Sequence, residues 1–304
     1  MPEARIASVT PLTERIALIA LEVAGGAPDW TPGAHVDVET AAGPRSYSLI
    51  RWPGDTGEHL QIAVQREDAG QGGSRAMHGL VAGDRLTLSA PANDFALVED
   101  EAPVTLLAGG IGVTPLISMA TACRDSGRAC DFHYTGRSAD LMAFRAEVAD
   151  RFDATIHTDD AAPIDLATVC DVPGHLYICG PKGMIDAARA AAEAAGVPPD
   201  RIHVELFTTA TPAAGDQPFE VEVASTGEVL TVAAGQSIIE ALEAAGHDVM
   251  YDCQRGDCGI CQTDVLDGTP DHRDVVLSQA ERDAGKVMQI CVSRARTPRL
   301  KLDL

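Results

Sequence analysis

The spacing of four cysteines in the last third of the chain constrains its fold more than any other feature. Cys253, Cys258 and Cys261 stand in a C-x4-C-x2-C order, and Cys291 follows after 29 intervening residues. This is the ligand spacing of plant-type [2Fe-2S] clusters, in which four thiolates hold two irons. The pattern therefore predicts an iron-sulfur domain around these cysteines.

The residues between the ligands suit that chemistry. Gly256 and Gly259 allow the loop to curl so that backbone N–H groups point at the sulfurs, and such hydrogen bonds tune the reduction potential. A structural zinc site and incidental free thiols are the alternatives, but zinc ribbons favour paired C-x2-C knuckles and only one such pair is present. The other four cysteines share no ligand spacing and are predicted to be small buried residues: Cys123, Cys130, Cys170 and Cys179.

The order of apolar runs predicts different architectures along the chain. From Arg5 to about Leu97, short β-rich runs alternate with Gly, Pro and Asp turns at 17–21, 34–38, 46–50, 60–64 and 85–88. This spacing is typical of a small antiparallel barrel or sandwich. From Pro103 the order becomes strand, glycine turn, helix, which predicts a parallel sheet with helices on its faces.

The segment from Thr208 to Gln217 has no periodicity and little apolar content, which predicts a linker. Beyond it, residues 219–223 and 228–232 are expected to form a hairpin and residues 237–245 a helix, and the cysteine loop follows.

Two glycine turns lie at predicted strand ends. One is Gly109-Gly110-Ile111-Gly112-Val113-Thr114-Pro115, and the other is Cys179-Gly180-Pro181. A strand-to-helix turn of this kind lets the backbone approach a pyrophosphate at a helix N-terminus, although a bare structural turn is the alternative interpretation. If both strands belong to one parallel sheet, the two turns form a crevice.

The run Arg45-Ser46-Tyr47-Ser48-Leu49 combines basic, aromatic and hydroxyl side chains on one strand. Alternation places Arg45, Tyr47 and Leu49 on one face and the two serines on the other. A flavin nucleotide requires a guanidinium to bind its phosphate, an aromatic side chain to pack on the face of its ring system and a hydroxyl at the edge of that ring system. The alternative is an edge strand with an incidental arginine. The run Gly72-Gly73-Ser74 is ambiguous in the same way, because a turn alone explains it.

Taken in this order, the R-x-Y-S-L strand, the two glycine turns and the four cysteines resemble the phthalate dioxygenase reductase family over essentially the whole chain. The resemblance implies three domains: an antiparallel β-barrel binding FMN at 1–100, an α/β parallel-sheet domain binding NAD(H) at 101–210, and an α+β (β-grasp) plant-type ferredoxin domain at 218–304, after a linker at 211–217. FMN rather than FAD follows mainly from this domain order.

The resemblance also implies a set of cofactor-binding residues. For FMN they are Arg45, Ser46, Tyr47, Ser48, Ala63, Val64, Gln65, Gly72, Gly73, Ser74 and Phe207. For NAD they are Gly110, Gly112, Thr114, Pro115, Arg137, Cys179, Gly180 and Pro181. Phe207 matches the position where the family places an aromatic over the flavin, although a core residue is the alternative there. Arg137 could pair with a 2′-phosphate, but Asp140 opposes this and the family favours NADH.

A nicotinamide delivers two electrons as a hydride, whereas a [2Fe-2S] cluster accepts one electron at a time, and a flavin can do both. The resemblance therefore implies an NADH-dependent oxidoreductase, the reductase component of a two-component Rieske-type oxygenase. No general acid or base is required, so no catalytic side chain is assigned. The alternatives are a reductase serving a cytochrome P450 and, in a different class, a flavin and iron-sulfur redox sensor, for which no output domain is recognisable.

Charge narrows the range of partners. The 304 residues carry 45 acidic and 23 basic side chains, a formal net charge of -22, which repels phosphate backbones and anionic lipid. The longest apolar run near the N-terminus, 16–21, is far shorter than the ~18 residues of a membrane span. With no secretory signal pattern, the expectation is a cytoplasmic monomer whose cysteines stay reduced, with an oxygenase and NADH as partners and neither nucleic acid nor membrane.

Overall fold

A computed structural model describes residues 3–68, 70, 72–207 and 215–304. The chain divides into two compact units, Met1–His203 and Val204–Leu304. Of the predicted linker, residues 208–214 lie outside the described residues. Within the described ranges, no helix is both long enough and apolar enough to cross a membrane.

The first part of the first unit is a curled antiparallel sheet. Its elements are β1 (Glu3–Pro11), β2 (Ile16–Val23), β3 (His35–Thr40), β4 (Gly43–Ser48), β5 (Leu60–Gln65), α1 (Gly73–His78) and β6 (Arg85–Thr87). One sheet has the order β5-β2-β1-β6, and β3 and β4 form a separate ribbon. Bridges from Val38 to Leu88 and from Ile50 to Gln61 join the ribbon to the sheet, so the strands curl into a barrel.

Alternation explains why these segments are strands. Along β2, Ile19, Leu21 and Val23 point inward and are buried, and Ile6 of β1 and Ile62 of β5 meet them in the same core. Burying an aliphatic side chain of this size contributes about 1.5–3 kcal/mol, which is the main stabilising term for a small barrel.

The second part of the first unit has a doubly wound α/β fold, whose last strand extends to Glu205. Its elements are β7 (Val104–Gly109), α2 (Val113–Ser126), β8 (Cys130–Gly136), α3 (Arg145–Phe152), β9 (Thr155–Thr158), α4 (Leu166–Val169), β10 (His175–Cys179), α5 (Lys182–Ala194) and β11 (Ile202–Glu205). The sheet order is β11-β10-β7-β8-β9, and β10-β7, β7-β8 and β8-β9 are parallel pairs. Every residue of β7 and β10 is buried, as expected of strands covered on both faces.

The second unit is an α+β fold. It contains β12 (Phe219–Val223), β13 (Val229–Val232), α6 (Ile238–Ala244), β14 (Gln262–Asp267), β15 (Pro270–Asp271), α7 (Gln279–Ala284), β16 (Val287–Gln289), β17 (Arg294–Ala295) and β18 (Arg299–Leu302). The mixed sheet has the order β13-β12-β18-β14-β16, with β12 and β18 parallel. Helix α6 begins with a capping box between Ser237 and Glu240, and its buried Leu242 lies in the core of this unit. The barrel, parallel sheet and α+β unit confirm the predicted fold class.

Candidate functional site

The loop between α6 and β14 brings the four predicted ligand cysteines together. The thiol of Cys253 interacts with those of Cys258 and Cys291, and the thiol of Cys261 interacts with that of Cys291. Cys261 and Cys291 are buried, whereas Cys253 and Cys258 are partly exposed. Hydrogen bonds from Cys258 and Cys291 lower the pKa of Cys253, so the loop favours a thiolate at this position.

Three left-handed residues give the loop its shape. Gln254, Gly256 and Gly259 have φ values of 51°, 82° and 80°. A Cβ on Gly256 would lie 2.6 Å from Cγ2 of Val292, so a larger residue cannot be accommodated without displacing its neighbours. The curl turns the N–H of Arg255 toward Sγ of Cys253 at 3.3 Å, which is the amide-to-sulfur contact expected from the sequence.

This donor set fits a two-iron cluster. Four thiols converge from one loop and one distant residue, and in a [2Fe-2S] centre each iron takes two of them. The C-x4-C-x2-C spacing with one distant cysteine is that of plant-type [2Fe-2S] centres.

Two polar side chains support the cysteine loop. Oε1 of Gln289 lies 3.5 Å from Sγ of Cys261, and Gln289 is fully buried. Asp257 accepts the N–H of Leu206 at 2.8 Å, and Nε of Arg255 lies 3.4 Å from the same Oδ2. Burial raises the pKa of Asp257 to about 7. Neither Gln289 nor Asp257 was predicted as a site residue.

The predicted flavin strand is β4. Arg45 and Tyr47 are partly exposed on one face of it, and burial raises the pKa of Tyr47 to about 12. A Cβ on Gly73 would lie 3.0 Å from Cγ and 3.1 Å from Nε of Arg45, so the glycine allows the arginine to pass directly over the start of α1. An arginine laid beside glycine backbone in this way fits a bound phosphate, because its fork and the nearby amides can share the anion's oxygens.

Apart from Phe207, the other predicted flavin residues lie on β4, on β5 and at the start of α1. Ser46 donates to Oδ1 of Asp37 at 2.6 Å on the opposite face, and Ser48 is buried. Ser74 accepts the N–H of Glu67 at 2.9 Å, and Gly72, at φ 104°, precedes α1. The three remaining positions lie at the end of β5, and they are Ala63, Val64 and Gln65.

The two glycine turns meet at the carboxyl ends of β7 and β10, as the crevice interpretation required. A Cβ on Gly112 would lie 2.3 Å from the carbonyl oxygen of Cys179, and one on Gly180 would lie 2.9 Å from Cα of Gly109. The two turns can approach each other this closely only because Gly112 and Gly180 have no side chain. The sheet order reverses between these strands, and nucleotides bind in the crevice at such a switch point.

The remaining predicted nucleotide residues lie around this crevice. Gly110 has φ 56° with open space at its Cβ position, and the hydroxyl of Thr114 donates to the carbonyl of Ile111 at 3.0 Å. Pro115 is buried in the first turn of α2, and Pro181 precedes α5. Arg137 is exposed just beyond β8, while the hydroxyl of Ser138 engages Asp140 at 2.6 Å.

Helix α2 is hydrogen-bonded to the segment that directly follows β4. The hydroxyl of Ser118 donates to the carbonyl of Leu49 at 2.8 Å and accepts the N–H of Arg51 at 2.9 Å. The hydroxyl of Thr121 donates to the carbonyl of Arg51 at 2.8 Å. These contacts attach the carboxyl end of the strand bearing Arg45 to the helix that follows the first glycine turn.

Phe207 is 38% exposed, so it is not the core residue that the alternative interpretation required. It is the last described residue before 208–214, and it follows Leu206, whose N–H binds Asp257.

Comparison with known proteins agrees with this geometry. The family profile of the 2Fe-2S iron-sulfur cluster binding domain matches residues 221–296. The chain is 40% identical over 280 residues to the phenoxybenzoate dioxygenase subunit beta of Ectopseudomonas oleovorans, covering 90% of this chain and 87% of that protein.

Two solved structures are similar over nearly the whole chain. Phthalate dioxygenase reductase matches with a TM-score of 0.68 at 33% identity, covering 99% of this chain and 97% of that one. An intact type IV self-sufficient cytochrome P450 monooxygenase matches with a TM-score of 0.69 at 36% identity, but this chain covers only 41% of that longer protein. The expected enzyme class, an oxidoreductase using FMN, NADH and a [2Fe-2S] cluster, is confirmed by these relatives, and the chain belongs to the phthalate dioxygenase reductase family.

Proposed function

We propose that this chain is the reductase component of a two-component Rieske-type oxygenase and supplies the oxygenase with electrons from NADH. The observation that carries the proposal is the presence, in one chain, of four converging cysteines, an arginine strand and a paired glycine crevice. When bound, FMN accepts a hydride and releases electrons singly, which matches a two-electron donor to a one-electron cluster. The side chains bind and orient these groups and need not transfer a proton.

Each cofactor is bound by its own set of residues. Arg45, Gly73 and Ser74 hold the FMN phosphate, with Tyr47 and Ser48 beside the ring system. Gly112 and Gly180 let the two turns approach closely, and with Gly110, Thr114, Pro115, Cys179 and Pro181 they form the crevice for the nicotinamide nucleotide. Cys253, Cys258, Cys261 and Cys291 hold the cluster. The corresponding domains are 1–100, 101–210 and 218–304.

The partner we propose is a Rieske oxygenase rather than a cytochrome P450, with the reductase acting as a cytoplasmic monomer. The support is the relative named as a dioxygenase subunit, which this chain covers almost completely. The P450 relative contains a comparable reductase within a much longer chain.

The test is reconstitution with purified acceptors. Iron, acid-labile sulfide and released flavin are assayed first, and one FMN and two irons per chain are expected. NADH-driven reduction is then followed with the phenoxybenzoate dioxygenase oxygenase component, a bacterial P450 and ferricyanide. Reduction of the oxygenase well above that of the P450 supports the proposal. Faster reduction of the P450 would contradict the proposed oxygenase partner. Bound FAD would contradict the FMN assignment, and bound zinc would contradict the [2Fe-2S] assignment. Failure to reduce even ferricyanide would favour a redox sensor.

A further inference from the structure

An open pocket of about 430 Å³ lies in the second unit beside the cysteine loop. One of its walls includes Cys261, and Leu242 and Ile290 from the core of this unit also line it. The remaining lining includes Met250 and Ile260, which flank Cys253 and Cys258 in sequence. The pocket therefore opens next to a residue that holds the cluster.

The apolar lining of the pocket is unusually exposed. Met250 is 78% exposed and Ile260 is 44% exposed. Large apolar side chains left in water at adjacent positions mark surfaces that another molecule covers. Methionine suits such a surface because its flexible, polarisable side chain adapts to different contacts.

Uncompensated acidic groups surround these two side chains. Asp248, Asp264 and Asp303 line the same pocket, are exposed, and form no ion pair with any described residue. Among the described residues that line the pocket there is no Lys or Arg, and His247 is engaged by Glu228 at 2.9 Å.

The basic side chains of this unit are neutralised elsewhere. Most of them form ion pairs with carboxylates outside the pocket: Arg255, Arg273, Arg282, Arg294, Arg296, Arg299 and Lys301. The three pocket aspartates therefore keep their negative charges uncompensated beside Cys261. A concentrated field of one sign steers an oppositely charged partner and fixes its register.

We propose that Met250, Ile260 and the three aspartates form an electron-exit surface, to which the acceptor protein binds through a basic rim and an apolar side chain that enters the pocket. This inference rests on the proposed function and assigns the partner's chemistry at its electron-exit site. Apolar contact supplies affinity at the centre of such an interface, while the charged rim supplies association rate.

The test separates these two contributions. Met250→Ala removes apolar contact, and the double variant Asp248→Asn/Asp264→Asn removes two charges. Matched controls in the first unit are Val81→Ala, whose valine is 61% exposed, and Glu14→Gln/Glu99→Gln, which makes the same change in net charge at exposed positions. All variants should keep their flavin and cluster spectra and their NADH–ferricyanide rate.

The acceptors are the oxygenase component named above and horse-heart cytochrome c, a basic one-electron acceptor. With the oxygenase we expect Met250→Ala to raise the KM about tenfold at every salt concentration. The Asp-to-Asn pair should lower the second-order rate with both acceptors about tenfold at 0.01 M ionic strength, and little at 0.1 M and above. Variants that behave like their matched controls contradict the exit surface. If the wild-type chain reduces cytochrome c but not the oxygenase, the proposed function fails while cytochrome c still tests the charged rim.

Discussion

At the scale of single residues, Cys291 offers the clearest test of the cluster, because it is the ligand most distant in sequence from the others. Cys291→Ser replaces a soft thiolate with a hard hydroxyl, a poor ligand for iron in such a site. We expect the cluster to be lost or strongly destabilised, so that iron content and cytochrome c reduction collapse. Oxidation of NADH by ferricyanide should persist, because ferricyanide takes electrons directly from flavin.

The matched control is Cys130→Ser, which changes a cysteine of the first unit that has no ligand spacing. It should retain both activities and the full iron content. Loss of both activities in Cys291→Ser would show that flavin binding depends on the ferredoxin unit, and loss of neither would remove Cys291 from the ligand set.

Arg45 tests the flavin strand. A charge-assisted contact of arginine with phosphate contributes roughly 1.5–3 kcal/mol, so Arg45→Ala should weaken flavin binding about ten- to a hundredfold. Lysine should rescue only part of this, because it lacks the planar fork. Flavin affinity is measured by fluorescence titration of the deflavinated protein. Arg5→Ala, which breaks only an exposed pair with Glu22, should bind flavin normally, and equal affinity in both variants would exclude the phosphate role.

Residues in local motifs could be predicted from sequence, whereas residues acting through distant contacts could not. The cysteines were recognisable because their spacing is fixed by the cluster. Ser118 bonds to the carbonyl of Leu49, 69 positions earlier, and Asp257 bonds to the amide of Leu206, 51 positions earlier. No local sequence pattern indicates either partner. The only hint for Ser118 was a hydroxyl in a helix that is otherwise apolar at this point.

At the scale of elements, the contact between the ends of β7 and β10 depends on the absence of a side chain at Gly112. In Gly112→Ala the new Cβ would meet backbone atoms of Cys179 at 2.3 and 2.5 Å, and backbone cannot move aside as a flexible side chain can. We expect the turns to separate, with a loss of roughly 1–3 kcal/mol in stability. The KM for NADH should rise at least tenfold.

Gly183→Ala is the matched control, because nothing lies within 4 Å of its Cβ position in α5. It should leave the KM for NADH unchanged and should slightly stabilise the helix. Stability is followed by urea unfolding. An equal KM in the two glycine variants would show that the crevice does not bind the nucleotide.

Sequence patterns identified the elements unevenly. The hairpin β12–β13 and helix α6 agree with prediction to within one residue, and the buried strands β7 and β10 end at the two glycine turns, where strand ends were expected. Strand β1 was not predicted separately, and the turn expected at Gly72-Gly73-Ser74 opens the six-residue helix α1, too short to show helical periodicity. The strands after the cysteine loop were not predicted, because runs of two to six residues carry little pattern and their pairing is set by contacts distant in sequence.

Strands β10 and β11 also carry a partly buried histidine pair. Nδ1 of His175 lies 2.9 Å from Nε2 of His203, and Nε2 of His175 lies 2.9 Å from Asp100. Burial, and then repulsion by His175, lower the pKa of His203 to about 4, although Asp200 and Asp100 act in the opposite direction. The ring of His203 is therefore neutral in the folded protein near pH 6.

This shift predicts a pH-dependent loss of stability. Between about pH 6.5 and pH 4 the unfolded chain protonates His203 and the folded chain does not, so stability falls as the pH falls through this range and this contribution levels off below pH 4. Allowing for the partly exposed ring, the loss is about 1–2 kcal/mol. Urea unfolding of wild-type protein and His203→Gln across this range should show a smaller decline in the variant. Parallel curves would contradict the assignment.

At the scale of the whole molecule, the dominant electrostatic feature is the excess of 22 negative charges. Self-repulsion of this kind opposes the compact state, and it is a long-range effect. Exposed ion pairs such as Arg85–Glu3 act in the opposite direction, but pairs of this kind contribute only about 0.2–1 kcal/mol each. Salt screens both the repulsion and the ion pairs. Whether salt raises or lowers the stability of the fold depends on which of the two effects is larger.

We expect repulsion to be larger, because acidic side chains outnumber basic ones by about two to one. Raising the ionic strength from 0.01 to 0.1 M shortens the Debye length from about 30 to about 10 Å, which screens distant like charges more than contacting pairs. The Tm of the holoprotein at pH 7.5, measured by calorimetry, should therefore rise with sodium chloride and equally with choline chloride. A constant or falling Tm would show that the ion pairs outweigh the repulsion, and a rise with sodium alone would point to bound cations instead of screening.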